Sequence, residues 1–223
     1  MSKLIALFTG GKESVYSILR ARELGYNVEE LLFLEKPGFS VHKANLSAVE
    51  AVARMLGYDL TVIRTSDRFE NDDNLIAHFR KLRKEGIEGL LTGNIRLEER
   101  RRIHEKICKR ARLKLVEPLR GLDTLELMID YSKIGLQFMI IGIRNERLDS
   151  RWLGTTISKQ NIEDFLADAL SSGIDPCGEY GEYHSIVVGL EYLGVRLEYN
   201  LITMKEENKI RYVTFQNPRI IGT

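Results

Sequence analysis

The first segment able to do chemistry lies close to the start of the chain, where hydroxyl-bearing, small and charged residues follow one another directly. It consists of Thr9, Gly10, Gly11, Lys12, Glu13 and Ser14. Two glycines let backbone N–H groups approach an anion closely, and a helix that begins here would add the positive end of its dipole. With a mobile ammonium group at Lys12, these residues predict a phosphate-binding loop. The alternative is a strand-to-helix turn whose glycines serve only its geometry.

A second candidate site lies far along the chain, where Glu179, Glu182 and His184 fall within six residues and beside two glycines. Two carboxylates and an imidazole can position ammonia, accept a proton from ammonium, or contribute ligands to Mg²⁺. The alternative is an acidic surface loop with an exposed histidine. The sequence leaves open which of the three acts as a base, and it does not identify metal ligands.

Two further polar residues, His42 and Asn45, follow the second predicted strand. Asn45 precedes a predicted helix, and asparagine in that position is more typical of an N-cap than of a ligand. No apolar periodicity explains His42. The pair therefore remains a weaker candidate for a binding site.

A strongly basic segment runs from residue 96 to residue 114, with nine basic residues against three acidic ones. The solvated face of a helix is its simplest interpretation. Alternatively, Arg100 or Arg101 reaches a triphosphate, or the outer face docks an acidic or nucleic-acid-bearing partner. Single-stranded nucleic acid is disfavoured because no aromatic residues are interleaved with the charges. The nine residues are Arg96, Arg100, Arg101, Arg102, Lys106, Lys109, Arg110, Arg112 and Lys114.

Alternating apolar runs and amphipathic stretches predict the elements that position these residues in the first half of the chain. Strands are predicted at residues 4–8, 30–34, 60–63, 89–93 and 113–116, and helices at 14–24, 45–56, 72–84 and 97–112. Regular alternation of this kind predicts an α/β fold with a parallel, doubly wound, five-stranded sheet. The glycine-containing loop then lies at the carboxyl end of the first strand, where such sheets bind ligands.

The pattern changes after residue 122. Helices are predicted at 123–134 and 158–171, and strands at 137–143, 185–188, 195–201 and 210–215, with a charged turn at 205–208. Such strands favour an antiparallel meander. We therefore predict two domains, 1–122 and 123–223, the second being a smaller α+β domain.

Composition excludes several classes of protein. The chain has 223 residues, 43% of them hydrophobic, and its 33 Lys and Arg against 32 Asp and Glu leave a net charge of +1. A disordered chain and a generally basic nucleic-acid binder are disfavoured.

No apolar run is long enough to span a membrane, and the start is too short for a secretory signal, so a cytoplasmic protein is expected. Cys108 and Cys177 are expected to be free thiols.

The motifs resemble those of a known family. Residues 9–14 are similar to the Ser-Gly-Gly-x-Asp-Ser loop of the PP-loop (N-type) ATP pyrophosphatases, which have a Rossmann-like fold. Residues 42–45 resemble a His-x-x-Asn segment, and residues 92–95 a Thr-Gly-Asp-Ile segment. Residues 178–185 resemble the Gly-Glu-x-Gly-Glu-Phe/Tyr-x-Thr signature of the diphthine-ammonia ligase family, and residues 152–154 match an element that precedes it. The resemblance extends to about residue 190.

The resemblance implies an enzyme of diphthamide biosynthesis. It implies adenylation of the carboxylate of diphthine on elongation factor 2 and amidation by ammonia, with release of AMP and pyrophosphate. ATP and Mg²⁺ are the implied cofactors, residues 1–122 the ATP-binding domain and 123–223 the substrate-binding domain, and a homodimer is allowed. The implied catalytic residues are Lys12, Glu179, Glu182 and His184. The implied nucleotide-binding residues are Thr9, Gly10, Gly11, Lys12, Glu13, Ser14, His42, Asn45 and Gly93.

This sequence departs from the family pattern at several positions. Glu13 and Asn94 each stand where the motif has Asp, Ser185 replaces Thr, and Tyr180 occupies a position that is usually small or polar. Residues 188–191 lack the Asp-Gly-Pro that commonly follows. These departures leave two alternatives open: an adenylating ligase with another, small carboxylate acceptor, and a nucleotide-binding regulatory module without turnover.

Overall fold

The structure, a computed structural model, describes residues 1–144 and 147–222, apart from the side chains of residues 202–204. Its strands are β1 (Lys3–Leu7), β2 (Asn27–Glu35), β3 (Leu60–Arg64), β4 (Gly89–Leu91), β5 (Lys114–Val116), β6 (Leu136–Arg144), β7 (Thr156–Ile157), β8 (Tyr183–Leu190), β9 (Val195–Glu207) and β10 (Ile210–Gly222). Its helices are α1 (Lys12–Glu23), α2 (Val41–Ala44), α3 (Leu46–Met55), α4 (Asp73–Lys84), α5 (Glu98–Ala111), α6 (Thr124–Lys133) and α7 (Ile162–Ser171).

The chain forms two compact units that do not follow the sequence strictly. The first contains residues 1–9, 13–38 and 58–121, and the second contains residues 10–12, 39–57 and the chain from residue 122 onward. Residues 9–14 are thus divided between the units. The segment with α2 and α3 belongs to the second unit, although it lies between β2 and β3 in the sequence.

The first unit contains a five-stranded sheet in the order β3-β2-β1-β4-β5, and all of its neighbouring strands are parallel. This confirms the predicted α/β architecture. The apolar side of α4 contributes Phe79 and that of α5 contributes Ile107 to one buried cluster with Ile5 and Leu90 of the sheet. Burial of these side chains holds the carboxyl ends of the strands, and therefore the loops that follow them, in fixed positions.

Helix α4 begins with a side-chain cap. Asp72 accepts hydrogen bonds from the N–H groups of Asn74 (3.0 Å) and Leu75 (3.1 Å), and also from Ser66 N–H (3.0 Å). The bond from Ser66, followed by that from Leu75, lowers the pKa of Asp72 below its ordinary value. The cap therefore stabilises the fold at neutral pH, and this contribution is lost in acid as the carboxylate becomes protonated.

We expect Asp72→Ala to lower the free energy of unfolding by about 1 kcal/mol, because two N–H groups of the first turn lose their acceptor. Asp72→Asn keeps an acceptor oxygen and serves as the control, with a smaller loss. Urea titrations at pH 7 measure both changes. An alanine variant as stable as the wild type would show that the cap contributes nothing.

The second unit contains an antiparallel sheet in the order β10-β9-β8-β6-β7, and β10 also pairs with β6, which closes four of the strands into a ring. Helix α3 packs against β8, β9 and β10. The predicted C-terminal α+β architecture is confirmed. The smaller elements α2 and β7 were not predicted, because segments of four and two residues are too short for periodicity to reveal.

The turn between the last two strands differs from the prediction. Charged residues 205–207 continue β9 and pair with residues 210–212 of β10. The turn is formed by Asn208 and Lys209, with φ angles of 53° and 63°. Two consecutive positive φ values are typical of a two-residue hairpin loop. The predicted position of the turn, residues 205–208, was therefore wrong. Charged side chains are compatible with the solvated face of a strand.

Both cysteines are free, as predicted, and both are buried. Burial raises the pKa of the Cys108 thiol to about 12, which keeps it protonated and unreactive at neutral pH.

Within the described part of the chain, no helix combines the length and the apolar character required to cross a membrane.

Candidate active site

The glycine-containing segment 10–12 lies against β8 in the second unit. Val187 N–H donates to the carbonyl oxygen of Gly10 (2.8 Å), and Lys12 N–H donates to Ser185 Oγ (3.5 Å). Gly10 has a φ of 71°, and a Cβ there would lie 3.4 Å from the Cα of Val49. The structure therefore brings residues 10–12 of the predicted phosphate loop together with the signature around residue 185.

The side chain of Lys12 is buried rather than mobile. It is 1% exposed, and Nζ donates to the carbonyl oxygen of Cys177 at 2.8 Å. Nζ also lies 4.4 Å from the centroid of the Tyr183 ring and 5.3 Å from that of Phe138. A carbonyl and two aromatic faces are favourable partners for a buried ammonium group. The expectation of a mobile charge was therefore wrong, while the catalytic assignment of Lys12 stays a prediction.

The remaining loop residues belong to the first unit. Thr9 N–H donates to Ser14 Oγ (3.4 Å), and the Ser14 carbonyl accepts from Ser17 Oγ (2.9 Å). Gly93, at the turn that follows β4, lies directly against the start of α1: a Cβ there would be 2.8 Å from the carbonyl carbon and oxygen of Glu13. Only glycine fits at this distance, so the turn after β4 and the first turn of α1 have a fixed relative position.

Glu182 is turned into its own loop, residues 175–182, which we call the signature loop. Glu182 is 5% exposed, and its carboxylate accepts from Tyr180 N–H (2.9 Å) and Asp175 N–H (3.3 Å). Asp175, which the sequence analysis missed, accepts from Cys177 N–H (2.8 Å) and from Thr124 Oγ1 (2.9 Å). These bonds indicate that Glu182 orders the loop. Its prediction as a catalytic residue stays a prediction.

The two predicted histidines meet although they are 142 positions apart in the sequence. The rings of His42 and His184 are in edge-to-face contact, with centroids 5.5 Å apart and planes at 89°. Both side chains are half-buried, as is Glu179. The structure thus brings together His42 of α2 and His184 of β8.

Asn45 occupies the N-cap position of α3, but its side chain makes no capping bond there. Its Nδ2 donates to the carbonyl oxygens of Val41 and Val213, both at 3.0 Å, and its Oδ1 accepts from Phe215 N–H at 2.9 Å. The expected capping role of the side chain was wrong because backbone groups of β10 use the amide. These bonds fix α2, and therefore His42, relative to the sheet.

Comparison with known proteins identifies the family. The family model described as the diphthamide synthase N-terminal domain matches residues 2–115, and that of the diphthamide synthase C-terminal domain matches residues 123–216. The chain belongs to the diphthamide synthase family. It is therefore an ATP-dependent ligase.

Curated relatives of this diphthamide synthase family member are named diphthine–ammonia ligases. The rat and human proteins are 26% and 25% identical over 211 residues, which cover 83% of this chain and 78% of each relative. The protein of Schizosaccharomyces pombe is 24% identical over 209 residues, and the match covers 83% of this chain and 34% of the length of that relative. The chain thus spans most of the two mammalian relatives and about a third of the yeast one.

Among solved structures, the chain is similar to one described as a predicted subunit of tRNA methyltransferase from Methanocaldococcus jannaschii. The two are 20% identical, and the match covers 86% of this chain and 98% of that one with a TM-score of 0.43. A likeness at this level carries no conclusion about function.

The groups predicted to bind a nucleotide in this ligase are those of the loop at residues 9–14. Its glycines and the start of α1 offer backbone donors of the kind that bind phosphate. In the described ranges, 1–144 and 147–222, no three His, Cys, Asp or Glu side chains are grouped as metal ligands. Mg²⁺ stays a prediction that the family resemblance implies.

Proposed function

We propose that this protein is a diphthine–ammonia ligase, which uses ATP and ammonia to amidate the carboxylate of diphthine on elongation factor 2. The observation that carries the proposal is the attachment of residues 10–12 to residues 177–187, a segment that contains the signature. Hydrogen bonds run from Val187 N–H to Gly10, from Lys12 N–H to Ser185, and from Lys12 Nζ to Cys177. Residues of the predicted nucleotide loop are thus hydrogen-bonded to the signature and to the residues on either side of it.

The proposed reaction has two steps. A carboxylate oxygen of the acceptor attacks the α-phosphorus of ATP, and the bond from that phosphorus to the bridging oxygen breaks to release pyrophosphate. Ammonia then attacks the carbonyl carbon of the acyl adenylate, its C–O bond to AMP breaks, and the nitrogen loses a proton. Glu179 and His184, the half-buried polar side chains of the signature, are the candidate acceptors of that proton.

Each group of the loop has a role in the first step. Backbone N–H groups at the start of α1 bind the leaving pyrophosphate, and its developing charge is stabilised by the helix dipole and the nearby Lys12 ammonium. Mg²⁺, bound to the triphosphate, would neutralise further charge on the leaving group. Buried Lys12 also holds residues 10–12 to the signature loop through the Cys177 carbonyl, which orders the candidate acceptor side chains of that loop.

The test is to incubate the purified protein with ATP, Mg²⁺, ammonium and diphthine-bearing elongation factor 2, and to measure AMP, pyrophosphate and the mass of the factor. We expect AMP only when the factor is present, together with the mass change of carboxylate to amide. AMP formation with small carboxylates alone would instead support the ligase with another acceptor. ATP binding without AMP under every condition would support a regulatory module.

The exposed face of α5 offers a surface on which a protein acceptor can dock. Among its basic residues, Arg101 Nε lies 2.8 Å from Glu105 Oε1, and Arg110 Nη2 lies 2.5 Å from Asp73 Oδ1. From α4, Arg80 and Arg83 donate to backbone carbonyls near the end of α5. The exposed Arg102, Lys106 and Lys109 extend this basic surface. An acidic surface of the acceptor would be attracted to it.

We expect the double variant Lys106→Glu/Lys109→Glu to raise KM for the protein acceptor about tenfold at low salt, with KM for ATP unchanged. The effect should shrink as salt concentration increases, because exposed charges are screened. Lys205→Glu, an exposed charge change on β9, serves as the control. Equal acceptor KM values for the double variant and the control would contradict docking at this face.

A further inference from the structure

A buried carboxylate that the motifs do not include follows β5 in the first unit. The side chain of Glu117 is 6% exposed, and its Oε1 accepts from Thr92 Oγ1 and from Asn94 Nδ2, both at 3.1 Å. His104 Nδ1, on α5, lies 3.8 Å from the same oxygen. Desolvation of a carboxylate is costly, so burial at this position requires compensating partners.

The partners of Glu117 outweigh that cost. Burial alone would raise the pKa of Glu117, but the His104 imidazole and the hydrogen bonds from Asn94 and Thr92 lower it below its ordinary value. Glu117 is therefore ionised at neutral pH. Its charge-assisted hydrogen bonds join the turn after β4 to the end of β5.

This turn is the one that lies against the start of α1. Gly93, between the two donors to Glu117, is the residue whose Cβ would lie 2.8 Å from the carbonyl of Glu13 and 3.1 Å from Ser14 N. A displacement of the turn by even a fraction of an ångström would therefore move, or be blocked by, the first turn of α1. Glu117 fixes the turn, and the turn fixes the backbone of Glu13 and Ser14.

The orientation of Asn94 explains why the carboxylate is needed. Its Nδ2 donates to Glu117 Oε1 and also to the carbonyl oxygen of Leu97 (3.2 Å), both of which are acceptors only. An aspartate at position 94, as in the Thr-Gly-Asp-Ile segment that this turn resembles, would face two acceptors and repel Glu117. Asn94 and Glu117 are thus complementary: one supplies the donor and the other the negative charge.

We propose that Glu117 is a positioning residue for the nucleotide loop. It supplies, from the position directly after β5, the carboxylate that position 94 lacks, and it holds the turn at Gly93 against Glu13 and Ser14. The inference rests on the proposed function only in taking ATP as the ligand of that loop. Glu117 does not touch the reacting atoms. Its effect on ATP is transmitted through Asn94 and Gly93 to the backbone of α1.

The test is a charge exchange between positions 94 and 117, with ATP affinity measured by titration calorimetry in the absence of acceptor. We expect Glu117→Gln and Asn94→Asp each to raise Kd for ATP about tenfold, because one loses the charge and the other adds a buried repulsion. The double variant Asn94→Asp/Glu117→Gln restores one carboxylate and one amide, so its Kd should return to within about threefold of the wild type.

A loss of stability alone would not produce this pattern. Phe79→Leu, in the core of the same unit, is the control, since it destabilises the unit without touching the turn, and its Kd for ATP should be unchanged. All titrations are made well below the unfolding temperature of each variant. If a variant at position 94 or 117 does not fold, the milder change His104→Gln is used in its place. We expect it to raise Kd for ATP about threefold.

Two results would overturn the inference. The first is a Kd for ATP in Glu117→Gln, or in the substitute variant His104→Gln, that equals the wild-type value. The second is a double variant that binds ATP no more tightly than the weaker-binding single variant. Because the measurement uses ATP alone, such a failure leaves the acceptor chemistry untouched. Conversely, a restored Kd in the double variant supports the inference even if amidation of elongation factor 2 is not observed.

Discussion

Replacement of Lys12 by methionine is expected to lower kcat/KM for AMP formation about 100- to 1000-fold, the range seen when a single preorganised donor to developing charge is lost. Methionine has a similar length and packs well against aromatic rings, so the space between Tyr183 and Phe138 stays filled. The change removes the positive potential beside the loop and the donor to the Cys177 carbonyl, which lies 2.8 Å from Nζ.

Stability distinguishes this expectation from a purely structural role for Lys12. Lys12 is 1% exposed, and replacing a buried charge by an apolar side chain of similar volume is often neutral for stability. We therefore expect a free energy of unfolding within about 1–2 kcal/mol of the wild type, because the unpaired carbonyl offsets the relief of desolvation. Lys114→Met, at an exposed position, is the control. A wild-type rate of AMP formation in Lys12→Met would contradict the assignment of Lys12 as a catalytic residue.

The sequence was sufficient to predict the parallel sheet because its strands are short apolar runs separated by amphipathic stretches of helical length. It was less informative about the antiparallel sheet. The turn at Asn208 and Lys209 depends on two positive φ values, which hydropathy does not encode. The assignment of α2 and α3 to the second unit depends on contacts with β8, β9 and β10 that are distant in sequence.

The site shows the same division between local and long-range information. The motifs around Gly10 and Glu182 were found by residue type and spacing, but the directions of their side chains were not. The burial of Lys12 depends on Cys177 and on rings from β6 and β8, and the bonds of Asn45 depend on β10. Such partners lie more than a hundred residues away, so a single sequence carries no signal for them.

Glu117 was missed for a different reason. It directly follows the fifth predicted strand, and the rule that ligands bind at the carboxyl ends of parallel strands already applied to it. The only local signal was a charged residue beside Pro118 at the end of an apolar run. Its importance becomes visible only with its distances to Thr92 and Asn94.

Glu182→Gln is expected to lower kcat about 10- to 100-fold and the free energy of unfolding by about 1–3 kcal/mol. The carboxylate accepts from two backbone N–H groups, at Asp175 and Tyr180, and glutamine has one acceptor oxygen for the two. Its NH₂ group would therefore face an N–H donor, and the signature loop would open. Since Glu179 lies in this loop and His184 follows it closely on β8, the positions of both side chains would become less well defined, which lowers the rate of the second step.

The pH dependence of kcat separates this positioning role from the general-base role that the sequence predicts for Glu182. In a plot of kcat against pH, the fall of kcat on the acidic side reports protonation of the general base. If Glu182 accepts the proton from the attacking nitrogen, the glutamine variant loses this acidic limb. If Glu182 orders the loop, the acidic limb remains and only the plateau value of kcat falls, because another group, Glu179 or His184, is then the base. We expect the second result, with Glu163→Gln on the exposed side of α7 as the control. A flat acidic limb in Glu182→Gln together with an unchanged free energy of unfolding would contradict the positioning role and restore Glu182 as the base.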